Sequence, residues 1–404
     1  MKKEYDVIVV GARCAGSPTA MLLARKGYRV LVVDRSSFPS DTASTLVIHS
    51  PGVAALQRWG VLEDVVASGC PPLGTYSFDF GPFVIAGNPH PHDGVSAAYA
   101  PRRTVLDKVL VDGAAVAGAE VREQFTVEEV VVEDGVVVGI RGHGHGGASV
   151  VERARLVIGA DGHHSKVARA VGAEQYHDKP VLEVAFYTFW SGLSLGGFKT
   201  VVRGDRAFAA IPTNDDLTLL LVGCPIADSA RFKADVEAHY WAALDREPDW
   251  AERVRAATRV ERFRSGGVPN FFRKPFGPGW ALVGDAGYTK DPVTAQGIAD
   301  AFRGAELCAA AVEEAFDRGR AFDDAMADYQ RSRDEGALPI YEFTTQMATL
   351  EPPPPEMQAL LRAMHGNQEA MDGFVSVIAG TMSPLAFFSP ENLGGIMTAA
   401  APGR

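Results

Sequence analysis

The chain has 404 residues, 47% of them hydrophobic and 22% charged, enough for two domains and a sizeable core. Its formal charge of −11 argues against nucleic acid or an anionic membrane surface as the main partner. The four cysteines, Cys14, Cys70, Cys224 and Cys308, lie far apart with no C-x-x-C pair, so they suggest neither a disulfide framework nor a zinc site and fit a reducing cytoplasm.

Lys2 and Lys3 followed by "VIVVGARCAG" have the outline of a secretory signal peptide, but the apolar core is too short and a patterned unit follows it. No apolar run approaches the roughly 18 residues of a membrane helix. "DVIVV" is apolar on both faces, as a covered parallel strand is. A turn opens at Gly11, "AGSPTAMLLARKG" reads as a helix ending near Gly27, and "YRVLVVDR" is a second buried strand closed by an acid. This βαβ unit is the context in which a dinucleotide fingerprint carries meaning. Gly11 and Gly16 supply the tight turn and the close helix–strand contact, and Asp34 follows Gly16 by 18 residues, near the spacing of a ribose-binding acid. Arg13 replaces the middle glycine. A guanidinium beside a diphosphate is electrostatically acceptable, and the helix start still offers free N–H groups, so the loop is expected to bind.

Further along, "GHGHGG" (Gly142 to Gly147) matches G-x-G-x-x-G letter for letter, yet strand-like runs flank it and no helix follows, so it reads as a loop. His143, His145, His90 and His92 read as solvated turn residues. "VVVEDGVVVGI" reads as a hairpin bent at Asp-Gly. "ARLVIGADGHHSKVARAVG" is a strand ending at Asp161, then a turn and a helix. In "LEVAFYTFWSG", Leu182, Val184, Phe186, Thr188 and Trp190 share one face of a strand, and "FKTVVRGDRAFAAIPTNDDLTLLLVG" continues as further strands. Residues 228–260 read as one or two amphipathic helices packed on that sheet. "GPGWALVGDAGYTKDPVTAQGIADAFRG" is a strand ending at Asp285, a loop with Pro292 and a helix from near Gln296. The last seventy or so residues are helical, interrupted by a stiff proline spacer in "EPPPPE", and could sit over an active-site mouth or a dimer interface.

Taken singly, Asp161 and Asp285 could be helix caps or turn residues. Together with the opening unit, and in this order, the three blocks resemble the FAD-dependent oxidoreductases of the p-hydroxybenzoate hydroxylase superfamily, which includes single-component flavin monooxygenases, halogenases and geranylgeranyl reductases. The similarity spans roughly residues 5–315. It implies an α/β chain: a Rossmann-like FAD-binding domain from 1–75, 100–180 and 268–330, an inserted and mostly antiparallel substrate sheet from 76–99 and 181–267, and a helical region at 331–404.

The resemblance also implies roles. Gly11, Arg13, Cys14, Ala15 and Gly16 would hold the FAD pyrophosphate, Asp34 the adenosine ribose, and Arg35 the adenine side. Arg103, with Leu106 and Leu110 at the matching spacing, would lie near the phosphates and ribityl chain. The Val127 backbone would meet adenine, Asp161 would serve FAD and pyridine nucleotide, and Asp285 a ribityl hydroxyl. Pro292, Gln296, Gly297 and Ile298 would bring a helix start beside the flavin pyrimidine ring, where its partial positive charge favours reduced flavin. Tyr288 and Ala295 depart from the usual His and Gly of this segment. Tyr187, Phe208 and Ile211 are candidates for the substrate pocket.

The implied activity is oxygenation of a small, aromatic or polyketide-like molecule through a flavin C4a-hydroperoxide, with NAD(P)H as transient reductant. No side chain is singled out as catalytic and no metal is expected. The alternatives are a dehydrogenase or reductase acting on C=C or C–H bonds, to which "FAAIPTND" bears a faint likeness, a halogenase, and a non-catalytic flavin-binding protein. A monomer or homodimer is expected.

Overall fold

Asp6 to Val10 read as apolar on both faces because the strand they belong to, Glu4–Val10, is covered on both sides. Val7 and Val9 pack with Ala20, Leu23 and Leu106, and Ile8 and Val10 with Phe125, Val130 and Ile140. The computed structural model describes residues 4–400, so Lys2 and Lys3 of the signal-like opening lie outside the described residues. Glu4–Val10 runs parallel to Val30–Val33 on one side and to Val150–Gly159 on the other, with Glu120–Arg122 and Trp280–Leu282 extending the parallel array outward. Every parallel neighbour thus delivers its carboxyl end to the same edge, where ligands of such sheets collect. The hairpin Thr126–Glu133/Val136–His143 joins antiparallel to Val150–Gly159, its bend carrying Asp134 and Gly135 at φ 48° and 79°. In "GHGHGG", Gly142 and His143 end strand Val136–His143 and Gly144 to Gly147 lie in the connection to Val150–Gly159.

A second sheet is mostly antiparallel: Glu183–Ser191, Leu217–Pro225, Arg206–Pro212 and Phe198–Arg203 in spatial order, extended by the hairpin Tyr76–Asp79/Val84–Gly87. Side chains alternate along each strand. Val184, Phe186, Trp190, Phe208 and Val222 form an outer face against Phe232, Tyr240 and Trp250. Those three residues come from Ser229–Ala234, Val236–Leu244 and Pro248–Ala256, so there are three helices where the sequence suggested one or two. Asp235 leaves helical geometry at φ −151° and caps the second of them through Ala238 N–H, and Pro248 starts the third.

The inner face carries Ala185, Tyr187, Phe189, Ile211, Leu219 and Leu221, which cluster with Phe374, Ile378 and Phe387 of the C-terminal helices and with Ala295. Long helices Gly297–Phe316 and Phe322–Met347 precede the proline break, and Pro355–Met364, Gln368–Ala379, Pro384–Phe387 and Pro390–Ala399 follow it. The C-terminal region therefore roofs the inner face. Among the described residues, no helix is long and apolar enough to cross a membrane.

Candidate functional site

The turn after the first strand is built around two close approaches. Gly11 has φ 101°, and a β-carbon there would lie 2.4 Å from Ala160 O. On Gly16 it would lie 1.7 Å from Gly11 O, so helix Gly16–Arg25 starts in contact with the turn it leaves. The three sequence blocks meet here: Gly11 abuts Ala160 and Asp161, and a β-carbon on Gly284 would lie 2.6 Å from Ala15 Cβ. The backbone amides of Arg13, Cys14 and Ala15 have no acceptor among the described residues, leaving a positive cradle at a helix start.

Arg13 does not fill that cradle. Its guanidinium pairs with Asp107, donates to Ser40 Oγ at 2.9 Å and lies 5.2 Å from the Phe38 ring centre. Asp107 is wholly buried and also receives Arg103 Nε at 3.1 Å and Nη2 at 2.9 Å, with the Cys14 thiol at 3.4 Å from Oδ1. Two guanidinium groups thus share one carboxylate, leaving a net positive charge beside the cradle. Burial pushes the Cys14 thiol well up, so it stays a neutral packing group. Nothing in the sequence marked Asp107; its signal was the i, i+4 spacing from Arg103 on helix Arg103–Val116. Asp107→Asn should lower apoprotein stability by about 3 kcal/mol, because it strands the buried Arg103 and the half-buried Arg13. FAD should restore part of that loss. Thermal denaturation with and without FAD is expected to show a larger cofactor-induced rise in Tm than in the wild type.

The other expected cofactor contacts divide. Asp34 closes its strand, its two oxygens accepting from Ala12 N–H at 2.9 Å and Ser36 N–H at 2.8 Å. Arg35 is exposed, with no side-chain partner among the described residues. Asp161 is engaged locally: Ser165 Oγ donates to Oδ1 and Lys166 N–H to Oδ2, both at 2.6 Å, which caps helix Lys166–Ala170. Its side chain braces the turn beneath Gly11. The Val127 carbonyl accepts Lys166 Nζ. Asp285 differs from these. The residue is exposed and its carboxylate accepts no hydrogen bond among the described residues, while the protein crowding one side of it lifts its pKa to about 6, against the opposing pull of Arg103 and Lys290. An open carboxylate without a protein donor, beside the Gly11 turn, fits a hydroxyl-bearing ligand.

From Asp291 to Gln296 the chain makes a tied-down turn. Asp291 N–H donates to Asn270 Oδ1 at 2.6 Å, and Thr294 Oγ1 lies 2.9 Å from Thr344 Oγ1. His49 Nε2 donates to Thr294 O at 3.0 Å, while its Nδ1 accepts from Tyr76 OH at 2.6 Å. Burial lowers the His49 pKa to about 4, which keeps this neutral tautomer across the physiological range. Sequence reading missed His49, a lone histidine in an apolar run. Pro292 opens the turn, and Ala295 takes the left-handed conformation at φ 53° where the superfamily has glycine. The Gln296 side chain is turned away, donating to Ile378 O at 2.8 Å, while the amides at Gly297 and Ile298 begin helix Gly297–Phe316 without backbone acceptors. Lys290 is buried against Asp300 of that helix, and Tyr288 OH is buried without a partner.

Tyr187 and Ile211 come together on the inner face, with Ser44 N–H donating to Tyr187 OH at 3.3 Å. Phe208 does not join them. Three positions from Ile211 on an alternating strand, it points outward and is fully buried with Phe186 and Phe232. In its place the inner face of that strand offers Ala207 and Ala209. A groove of about 420 Å³ between Val137, Ala173, Lys274 and Trp280 lies on the far side of the first sheet, remote from these groups. Another of about 640 Å³ opens among the C-terminal helices, between Leu182, Phe343, Met357 and Phe388.

Comparison with known proteins agrees with this geometry. Residues 4–344 match the family model described as FAD binding domain. The digeranylgeranylglycerophospholipid reductase of Methanosarcina mazei is 29% identical over 345 residues, spanning 79% of this chain and 77% of that one. A flavoprotein/dehydrogenase from Cytophaga hutchinsonii superposes with a TM-score of 0.84 at 20% identity, covering 98% of this chain and 99% of that one. The pqsL protein of Pseudomonas aeruginosa, a probable FAD-dependent monooxygenase, superposes with a TM-score of 0.70 at 20% identity, covering 93% and 99%. At such identities the two structures speak for the fold alone.

Proposed function

The chain belongs to the FAD binding domain family, as an FAD-dependent oxidoreductase of the p-hydroxybenzoate hydroxylase superfamily, and on that premise we propose that it is a monooxygenase. It would take electrons from NAD(P)H and place one atom of O2 on a small, apolar, ring-containing substrate. In this reading 1–75, 100–180 and 268–330 hold FAD, 76–99 and 181–267 hold substrate, and 331–404 form the roof. The amides of Arg13 to Ala15, with Arg103 behind them, would neutralise the pyrophosphate; Asp34 would take a ribose hydroxyl and Asp285 a ribityl hydroxyl. The helix start at Gly297 and Ile298 would face the pyrimidine edge, held there by His49 and Thr344. Bound FAD supplies the redox chemistry. The protein's part is to orient both partners and exclude water.

The dryness of the inner face carries this reading. Tyr187, Phe189, Ile211, Leu219 and Ala295 are each at most 5% exposed, beneath the roof helices. Oxygen activation on flavin needs a site from which water is kept. Phe208 of "FAAIPTND" packs on the outer face of the sheet and presents no ring to the inner face. The name of the Methanosarcina relative favours a second reading, reduction of a C=C bond. One experiment separates them. Phenols, indoles and polyketide aromatics are screened for stimulated NADPH oxidation, and active compounds are then turned over under 18O2. Labelled product is expected; unlabelled product carrying two extra hydrogens, formed equally well without oxygen, would establish the second reading.

A further inference from the structure

Glu183 begins strand Glu183–Ser191, next to one edge of the second sheet, and alternation puts its side chain on the inner face with Ala185, Tyr187 and Phe189. It is 4% exposed, and its Oε2 has no hydrogen-bond partner. Asp291, at the start of the Pro292 turn, is 1% exposed; its Oδ1 accepts from Val293 N–H at 3.1 Å, and its carboxylate lies near enough to the Glu183 backbone N–H to be favoured by it, but its Oδ2 has no partner of hydrogen-bond geometry. The two carboxyl groups influence each other's ionisation, and no cation is set against either one. They join the two halves of the molecule, one on the substrate sheet and one on the turn that leads into helix Gly297–Phe316.

The floor beneath Glu183 is made of small residues. A β-carbon on Gly223 would lie 1.9 Å from Glu183 Oε1 and 3.5 Å from Ala207 Cβ, and Ala185 pairs with Gly223 across the strands. The carboxyl therefore lies directly over backbone on an otherwise apolar face. Two observations thus coincide: a floor of small residues, Ala185, Ala207 and Gly223, on which the Glu183 carboxyl lies, and a buried oxygen without a partner on each of the two carboxyl groups. The larger groove is lined by Leu182, the chain neighbour of Glu183, but by neither carboxyl group. Two carboxylates in a dry site, with no cation, leave one kind of ligand atom strongly favoured: a nitrogen that arrives protonated, or takes the pair's shared proton, and donates to both. Among the described residues no cluster of three metal-ligating side chains includes them, so a metal ion does not answer the vacancy of charge.

We propose that Glu183 and Asp291 form a recognition site for a basic nitrogen of the substrate. This rests on the assignment of the inner face to substrate, and narrows it to apolar, ring-containing amines. No covalent step is involved.

The test uses the FAD-loaded enzyme without reductant, so that it does not depend on which reaction follows. Tryptamine is compared with 3-propylindole, and phenethylamine with propylbenzene, by perturbation of the flavin absorbance and by calorimetry. Each amine should bind at least about tenfold more tightly than its carbon isostere, the scale of one charge-assisted hydrogen bond. Glu183→Gln and Asp291→Asn should each reduce that preference to about twofold or less while retaining FAD and the weak binding of the isostere. Isosteres that bind as tightly as amines, a preference that survives in both variants, or no response to either amine at millimolar concentration would each overturn the proposal. Failure to incorporate labelled oxygen, with amine preference intact, would instead count against the monooxygenase reading alone.

Discussion

Gly16→Ala is expected to yield a protein that purifies without flavin. The glycine is required for space. A β-carbon would lie 1.7 Å from Gly11 O and 3.1 Å from Ala160 Cβ, and a backbone carbonyl in a tight turn cannot rotate aside as a side chain can. Relief requires helix Gly16–Arg25 to move away from the turn, which carries the amides of Arg13, Cys14 and Ala15 out of register with one another. Overpacking of this kind costs about 1–3 kcal/mol of stability. Losing one or two charge-assisted hydrogen bonds to a diphosphate costs about 2–4 kcal/mol, roughly 30- to 1,000-fold in FAD affinity. Arg13→Gly is the contrasting case. It restores the missing glycine of the fingerprint, yet the Arg13 side chain already leaves the cradle for Asp107 and Ser40, so FAD affinity should change by less than about fivefold. Flavin content on purification and fluorescence titration of apoprotein measure both. A yellow Gly16→Ala protein with near-normal affinity would show that the cradle is not at this turn.

Glu183→Gln should make the protein more stable at alkaline pH and leave it little changed near pH 5. Burial raises the pKa of Glu183, and the facing Asp291 carboxylate raises it further; burial raises Asp291 as well. In the unfolded chain both return to the ordinary carboxylate range near 4. Folding therefore takes up protons between pH about 4 and the raised values. The pair imposes no penalty below that window, and stability declines as pH rises through it. An amide at position 183 cannot ionise and can donate to Asp291 Oδ2, which now has no partner. The gain above the window should be about 1–3 kcal/mol, the usual penalty of an unsatisfied buried group. Burial lowers the His49 pKa to about 4, so its contribution acts on the acid side, is lost as pH falls from about 6.5, and is common to both proteins. Chemical denaturation from pH 5 to 9 should give curves that diverge upward for the variant; parallel curves would remove the carboxyl pair from the account.

Local chemistry made much of the fold readable. The run Asp6–Val10 could only be a covered strand, Gly11 and Gly16 could only mark a tight turn against a helix, and Asp134-Gly135 could only bend a hairpin. The literal "GHGHGG" was set aside because strands flank it, and it spans the end of one strand and the connection to the next. The three-helix count over residues 228–260 was harder, because Asp235 breaks the helix through its backbone conformation while its residue type permits either a cap or a continuation.

The amino-acid sequence by itself determined the tight glycine turn, the parallel strands that end at one edge, and the FAD-binding family, since each depends on residue types close together in the chain. Tertiary structure alone decided where long-range charges and faces fall. Arg13 pairs with Asp107, 94 positions away; His49 is bonded to Thr294, 245 positions on; and Glu183 of the second sheet feels the charge of Asp291 on the Pro292 turn. Phe208 and Ile211 differ in face because a strand alternates, and which face lies inward was fixed by the helices that cover it. Turn geometry and periodicity are local and leave marks in sequence. Desolvation and charge pairing depend on what the rest of the chain brings alongside, and that becomes defined only when the chain has packed.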